Sequence, residues 1–329
     1  MEFITKIKTD SAKQKIGYDT PVMFVGSCFS GEIGRQFSYG KMDVLINPFG
    51  VLYNPLSTAR ALEVIMENRA FSKEDLYCYD NKYLSFYHDT SFSSRDNTKG
   101  LIKINRSISE ARSFLSGASF LFVTFGTAWV YRWKENNEVV ANCHKIPAAR
   151  FSRHLLKTKD IVTSWQKLVS ELKNFNKRLN IVFTVSPVRH LKDGAHGNQL
   201  SKSILTLAID ELTSANIELS YFPSYELMLD ELRDYRFYKK DMVHPSDTAI
   251  EYIWERFRET YFTSDAVSIY DRVAKITEAM RHKITDDNTE SIQKFRNSML
   301  DKIKKISNDY PFVNLGEEEN YFNNIISEE

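Results

Sequence analysis

The sequence is poor in cysteine, glycine and proline, with three, twelve and eight in 329 residues. Three thiols, Cys28, Cys78 and Cys143, cannot all pair with one another, so no disulfide framework is available and a reducing, cytoplasmic setting is expected. No stretch approaches the roughly 18 apolar residues that span a bilayer, and the opening MEFITKIKTDSAKQK lacks the continuous apolar segment of a signal peptide. Neither membrane insertion nor secretion is expected. Charge of one sign is also lacking: 44 Lys plus Arg stand against 43 Asp plus Glu, a net of +1. Bulk attraction to nucleic acid or an anionic membrane is thereby excluded. No internal repeat is visible. What is present, 42% hydrophobic and 26% charged residues, is the composition of a globular chain with a sizeable core. The length fits about two domains, or one large α/β domain with an appendage.

Short apolar runs alternate with segments of helical period, the pattern of a parallel sheet covered by helices on both faces. Pro21–Val25 reads as a buried strand, GSCFSG as a turn, and Glu32–Phe37 as the start of a helix. Asp43–Ile46 is the next strand. After NPFGVLYNP, Asn54 suits an N-cap with Pro55 at the first helical position, and Leu56, Ala59, Leu62, Val64 and Ile65 keep helical spacing. Residues 72–105 are rich in Tyr, Phe, Ser and Asp without a sustained period, and read as an insertion. Their aromatics, Tyr77, Tyr79, Tyr83, Phe86, Tyr87 and Phe92, suit a small core of their own better than a sugar platform. Phe120–Thr124 is a third strand, followed by two alternating stretches joined through Glu135, Asn136 and Asn137, a hairpin signal. Ile161, Trp165, Leu168, Val169, Leu172 and Phe175 mark a helix feeding the strand Ile181–Val185. A helix through Ile204–Leu212, a strand Ile217–Phe222 and a helix Thr248–Phe262 follow. From about residue 264 the strand signal ends. KITEAMRHKI and SIQKFRNSMLDKIKKI are charged helices before the acidic GEEENYFNNIISEE, so residues 1–263 are expected to form one domain and 264–329 a helical extension. That extension suits either packing on the sheet domain or contact with a second copy or partner.

In an open α/β sheet, ligands bind beyond the carboxyl ends of the strands. The loop Gly26-Ser27-Cys28-Phe29-Ser30-Gly31 begins like a phosphate cradle, but Glu32 stands where a phosphate-binding Lys is needed, and no G-x-G-x-x-G occurs. A thiol at a helix N-terminus is expected to have a lowered pKa, because unpaired amides and the helix dipole favour its anion. The alternative is that Cys28 fills space and Ser27 caps the helix. The second element is Asp241-Met242-Val243-His244-Pro245. A carboxylate three residues from an imidazole can accept its N–H, fix its tautomer and support proton transfer. Arg189 and His190 can meet an anionic or polar group, although a loop Arg is commonly tied into an ion pair. Cys143-His144 lacks the partner spacing of a zinc site, and neither metal nor cofactor is expected.

A G-S-C turn after the first strand combined with D-x-x-H after the last resembles the SGNH/GDSL hydrolase superfamily, whose first block is G-D-S and whose last is D-x-x-H. Within it the chain is similar to the GSCFA family. The resemblance is carried by GSCFS at 26–30, NPFGVLYNP at 47–55, FGTAWVY at 125–131, ANCHKIP at 141–147, VSPVRHLKDG at 185–194 and DYRFYKKDMVHPS at 234–246. It implies a three-layer α/β/α fold with about five mostly parallel strands, and an acyl ester, carbohydrate or other small molecule, as substrate. It also implies a nucleophile at Cys28, or at Ser27 if the match shifts by one, with His244 as base and Asp241 as its orienter. The superfamily's oxyanion donors imply roles for Gly50 and for the region of Gly126. No asparagine follows Gly126-Thr127-Ala128, so Thr127, Trp129, Asn142 or His144 would have to replace that donor. The same departures leave open a non-catalytic carbohydrate-binding or scaffold module.

Overall fold

A computed structural model describes residues 5–9, 11–281 and 289–324. Its centre is a five-stranded parallel sheet made of β1 (Val22–Gly26), β2 (Val44–Ile46), β5 (Phe120–Phe125), β9 (Asn180–Val185) and β10 (Leu219–Phe222), in the order β10-β9-β5-β1-β2. Every pairing in this sheet is parallel. A parallel strand is covered on both faces, so it reads as a continuous apolar run, as VMFVG and FLFVTF do.

Side-chain alternation divides the core in two. Met23, Val25, Leu121, Val123, Ile181 and Phe183 face one layer, formed by α2 (Pro55–Glu67), α3 (Asn97–Gly117), α4 (Thr158–Phe175) and α5 (Gly194–Ala215). Val22, Phe24, Phe122, Val182 and Phe222 face the other, formed by α1 (Cys28–Tyr39) and α7 (Asp247–Tyr261). Between β10 and α7 lie the short turn α6 (Ser224–Glu226) and the loop that carries His244.

Helices start where the sequence indicates. Asn54 Oδ1 accepts from Ser57 N at 2.9 Å with Pro55 at the first position. Helix α1 begins at Cys28, four residues before the expected start, because Ser27 caps it by accepting from Phe29 N.

The segment read as an insertion divides into two parts. The hairpin β3 (Tyr77–Tyr79) and β4 (Lys82–Leu84) packs against a separate antiparallel sheet of β6 (Trp129–Trp133), β7 (Val139–Val140) and β8 (Phe151–Leu155) around Leu84, Trp133, Val140, Ile146 and Phe151. Tyr77, Tyr79 and Phe86 pack into that cluster, whereas Tyr87 and Phe92 join the main core. The second part is helical: α3 is capped by Asp96 and buries Ile104, Ile108, Ala111 and Leu115.

The C-terminal helices α8 (Ser264–Arg281), α9 (Thr289–Asp309) and α10 (Gly316–Asn324) pack on the α1/α7 layer through Tyr270, Val273, Ile303, Ile306 and Phe322. Buried Glu318 pairs with Lys41 at 2.8 Å. The end of the first charged segment, 282–284, and the end of the acidic segment, 325–329, lie outside the described residues. Among the described residues no helix is long and apolar enough to cross a membrane.

The core also holds a titratable group. His88 is fully buried, stacked on Phe49 at 4.2 Å with Nδ1 2.9 Å from Ser85 Oγ, and burial pushes its pKa down to about 3. The unfolded chain protonates this imidazole near pH 6.5, so between there and pH 3 it binds the proton that the folded state refuses. Stability is therefore intact above about pH 6.5 and falls as pH drops. We expect His88 to account for about 2 kcal/mol of lost stability between pH 6.5 and pH 5. Thermal melts across that range test this: His88→Phe should show a visibly shallower loss than wild type, and parallel curves would refute it.

Candidate active site

The chain runs from β1 out to β2 and then returns to place β5 on the other side of β1. Strand order therefore reverses between β1 and β5, and a crevice opens there at the carboxyl ends. A cavity of about 380 Å³ occupies this position. Cys28 follows β1, Tyr53 and Asn54 follow β2, Thr127 and Trp129 follow β5, Val188, Arg189 and His190 follow β9, and Val243 and His244 precede α7; all line it. The far wall is the antiparallel sheet, with Tyr131, Asn142, Cys143 and Arg153.

The turn at the end of β1 is tight by necessity. Gly26 has φ of 128°, and a Cβ there would stand 2.1 Å from the carbonyl oxygen of Thr124 on β5. A larger residue would push β1 and β5 apart directly beneath the cavity. Ser27 is 1% exposed, and its Oγ is occupied as the cap of α1. Cys28, one residue on, lies in the first turn of α1 and reaches the cavity.

His244 is held from behind. Asp241 Oδ1 accepts from the backbone N–H of Val243 at 2.9 Å and of His244 at 3.0 Å, and Oδ2 lies 2.7 Å from His244 Nδ1. Met242 takes a left-handed φ of 56° to close this turn. The backbone and ring N–H groups of His244, together with the Val243 amide, hold the Asp241 carboxyl below the usual range. Arg189 fastens the loop: its guanidinium donates to Met242 O and lies 4.4 Å from the Tyr238 ring centre, and its backbone N–H donates to Val243 O at 3.2 Å. With Nδ1 committed to Asp241, Nε2 is the atom of His244 left to exchange protons.

The expected oxyanion donors are largely spent elsewhere. Gly50 N donates to Asn47 O at 2.7 Å to close its own turn, and Gly50 does not line the cavity. The amides of Gly126 and Thr127 both donate to Tyr53 O, at 2.8 and 2.9 Å. Trp129 N donates to Thr127 Oγ1. His144 also lies apart, with Nε2 2.8 Å from Ser85 O. Asn142 does line the cavity; its Oδ1 accepts from His144 N at 2.8 Å, leaving the NH2 as donor.

A model of the GSCFA family matches residues 21–257, and one described as the GSCFA domain protein C-terminal domain matches residues 273–328. The chain belongs to the GSCFA family. No curated protein matches this family member in sequence. Among solved structures it is similar to a family two carbohydrate esterase from Clostridium thermocellum in complex with cellohexaose, at 12% identity and a TM-score of 0.36, covering 80% of this chain and 66% of that one. It is also similar to a family 3 carbohydrate esterase from Clostridium thermocellum, at 9% identity and a TM-score of 0.32, covering 78% and 99%. A carbohydrate esterase family 3 structure from Talaromyces cellulolyticus gives 8% identity and a TM-score of 0.32, covering 78% and 99%.

In this GSCFA protein the electrostatics differ from the expectation at one point. The Cys28 thiol is raised, not lowered: burial is the largest cause and Glu32 adds to it, outweighing the helix amides of Cys28 and Phe29 and the attraction of Lys202. His190, with Tyr53 edge-on at 5.6 Å and a buried Nε2 that has no hydrogen-bond partner among the described residues, is pushed down to about 4 by burial. It stands in the wall as a neutral imidazole. Charges in the lining are mostly positive. Arg153 pairs with Asp193, Nη2 to Oδ2 at 2.6 Å, and stacks 4.3 Å from the Trp129 ring centre. Arg189 forms no ion pair with an acidic side chain among the described residues, and Lys192 donates to Tyr131 OH at 2.8 Å while adding to Arg153 in holding the Asp193 carboxyl down.

Two contributors escaped the sequence reading. Lys202, on α5, is buried beneath the strand ends and donates to Gly126 O and Ser186 O at 2.7 and 2.6 Å. The Arg153–Asp193 pair joins the antiparallel sheet to the loop after β9. Both were hidden for the same reason: a lone charged residue in an amphipathic segment ordinarily faces water.

Proposed function

We propose that this protein is an acyl-ester hydrolase or acyltransferase acting on a carbohydrate or another small polar ester. The observation that carries the reading is the convergence of Cys28 and of the Asp241-paired His244 on one cavity at the point where strand order reverses. In the proposed reaction Cys28 Sγ attacks the ester carbonyl carbon as His244 Nε2 takes the thiol proton. The first-turn amide of α1 at Cys28 and the Asn142 NH2 are the donors available to the developing oxyanion. Collapse breaks the bond to the alcohol, which leaves with the proton returned by His244. Water, or an acceptor hydroxyl, then attacks the thioester with His244 again as base and frees the thiol.

The walls suit a ring-shaped polar substrate. Tyr53, Trp129 and Tyr131 offer stacking surfaces, and Arg153, Arg189 and Lys192 outnumber Asp193. The proposal is tested by incubating the purified protein with short acyl esters of neutral sugars and of sugar acids. Turnover is expected, with KM several-fold lower for the negatively charged ester and that advantage shrinking as salt is raised. No turnover across the panel would overturn the enzymatic reading, and equal KM values would overturn the charge preference. The second reading, sugar binding without turnover, is favoured by the raised thiol and by the amides committed at Gly50, Gly126 and Thr127. Saturable binding with no product would establish it.

A further inference from the structure

Asp193 stands at the N-cap position of α5, where a carboxylate ordinarily accepts from the first amides of the helix, yet it makes no cap hydrogen bond. Its carboxylate turns to Arg153 on β8 instead. Both terminal nitrogens of the guanidinium donate to it, Nη1 to Oδ1 and Nη2 to Oδ2, the latter at 2.6 Å. The two side chains are 27% and 9% exposed, and both line the cavity. The guanidinium also has a seat of its own, with Cζ 4.3 Å from the Trp129 ring centre and 5.3 Å from that of Tyr131, two further wall residues. Its Nε is buried and has no hydrogen-bond partner among the described residues. Lys192 adds a second cation beside it, donating to Tyr131 OH at 2.8 Å. A planar fork with a spare donor, held against aromatic rings in a cavity wall, matches the geometry of a carboxylate. Arg189 is placed differently: its guanidinium is spent on Met242 O and the Tyr238 ring, where it holds the His244 loop.

We propose that Arg153 is the carboxylate-binding residue of this cavity and that Asp193 is its intramolecular competitor, occupying the fork in the resting protein and yielding it to the carboxylate of a bound sugar acid. The inference rests on the proposed reading that the cavity takes a polar, ring-shaped molecule, and it names the group that is recognised. The exchange balances charge, because the carboxylate of the ligand replaces that of Asp193 on the fork. The released carboxylate stays at the N-terminus of α5, where the first amides lack a side-chain cap and the helix dipole favours an anion. Asp193 thus has two seats, the Arg153 fork and the end of α5, and a ligand that takes the first shifts it to the second.

Isothermal titration of the full chain with D-glucuronate, and with D-glucose as the neutral control, tests the assignment. Asp193→Asn keeps a side chain able to cap α5 and removes the competing charge. It should bind glucuronate about tenfold more tightly than wild type, with the response to glucose unchanged. Arg153→Lys keeps the positive charge and loses the fork, so glucuronate should bind about tenfold more weakly, again with glucose unchanged. Melting curves establish that each variant is folded, and should Asp193→Asn fold poorly the Arg153→Lys comparison stands by itself. Equal glucuronate affinity in wild type and either folded variant would overturn the assignment, as would the absence of saturable glucuronate binding in Asp193→Asn. A parallel gain for glucose in Asp193→Asn would also overturn it, because a loosened loop admits both sugars whereas a vacated fork admits only the acid. Binding is read without turnover. An Arg153-dependent preference in a protein that cleaves no ester would retain the carboxylate site and remove the proposed enzyme, and turnover without that preference would do the reverse.

Discussion

His244→Ala is expected to lower kcat/KM for acyl-ester hydrolysis about 10³-fold, some 4 kcal/mol of transition-state stabilisation, with KM little changed. The size follows from how the imidazole is mounted. Asp241 accepts from the ring at 2.7 Å and from two backbone amides of the same turn, so the tautomer is fixed before substrate arrives. A thiol raised by burial depends on this base more than an already ionised one would, because little thiolate exists near neutrality without it. The side chain is about half exposed, so its removal should cost the fold little. Steady-state kinetics alongside a melting curve check the claim. A fall below fivefold at unchanged stability would show that His244 is not the base.

The largest effect is expected at Cys28. Cys28→Ala should abolish turnover to the level of uncatalysed hydrolysis, whereas Ser27→Ala should retain most of it and lose stability by about 1 kcal/mol through the missing cap. The contrast discriminates because the two residues are adjacent yet differently placed. The Ser27 hydroxyl is buried and committed to Phe29 N, while Cys28 lines the cavity. Loss of activity in Ser27→Ala with retention in Cys28→Ala would move the nucleophile by one residue.

Most of the architecture was legible because it rests on local signals. The runs at β1, β5 and β9 are apolar on both faces, Asn54-Pro55 announces α2, and Asp241 and His244 are near enough in sequence to form one turn by themselves. The missing pieces depend on tertiary context. In α3, Ile104, Ile108, Ala111 and Leu115 keep helical spacing, but Asn, Arg, Ser and Glu between them and the polar run before them masked the stripe. In α5, Lys202 stands on the same face as Leu205, Ile209 and Leu212, and a lysine on an apolar stripe was the available sign of a buried cation. Gly50, Gly126 and Thr127 occupy the expected places in sequence, yet the carbonyls that claim their amides belong to Asn47 and Tyr53 and appear only once the loops are folded together. The direction of the Cys28 shift likewise turned on burial, which no helix position discloses.

The central claim is that Cys28 carries the acyl group. Its most direct measurement is the acid-quenched reaction of the protein with an activated acetyl ester, followed by peptide mass spectrometry of residues 26–31 and of the Cys78 peptide. A single acetyl group on Cys28, formed far faster than on exposed Cys78 and lost in His244→Ala, is the expected result. Steady product release with the acetyl group on Ser27, or with Cys28 unmodified at every time point, would contradict it.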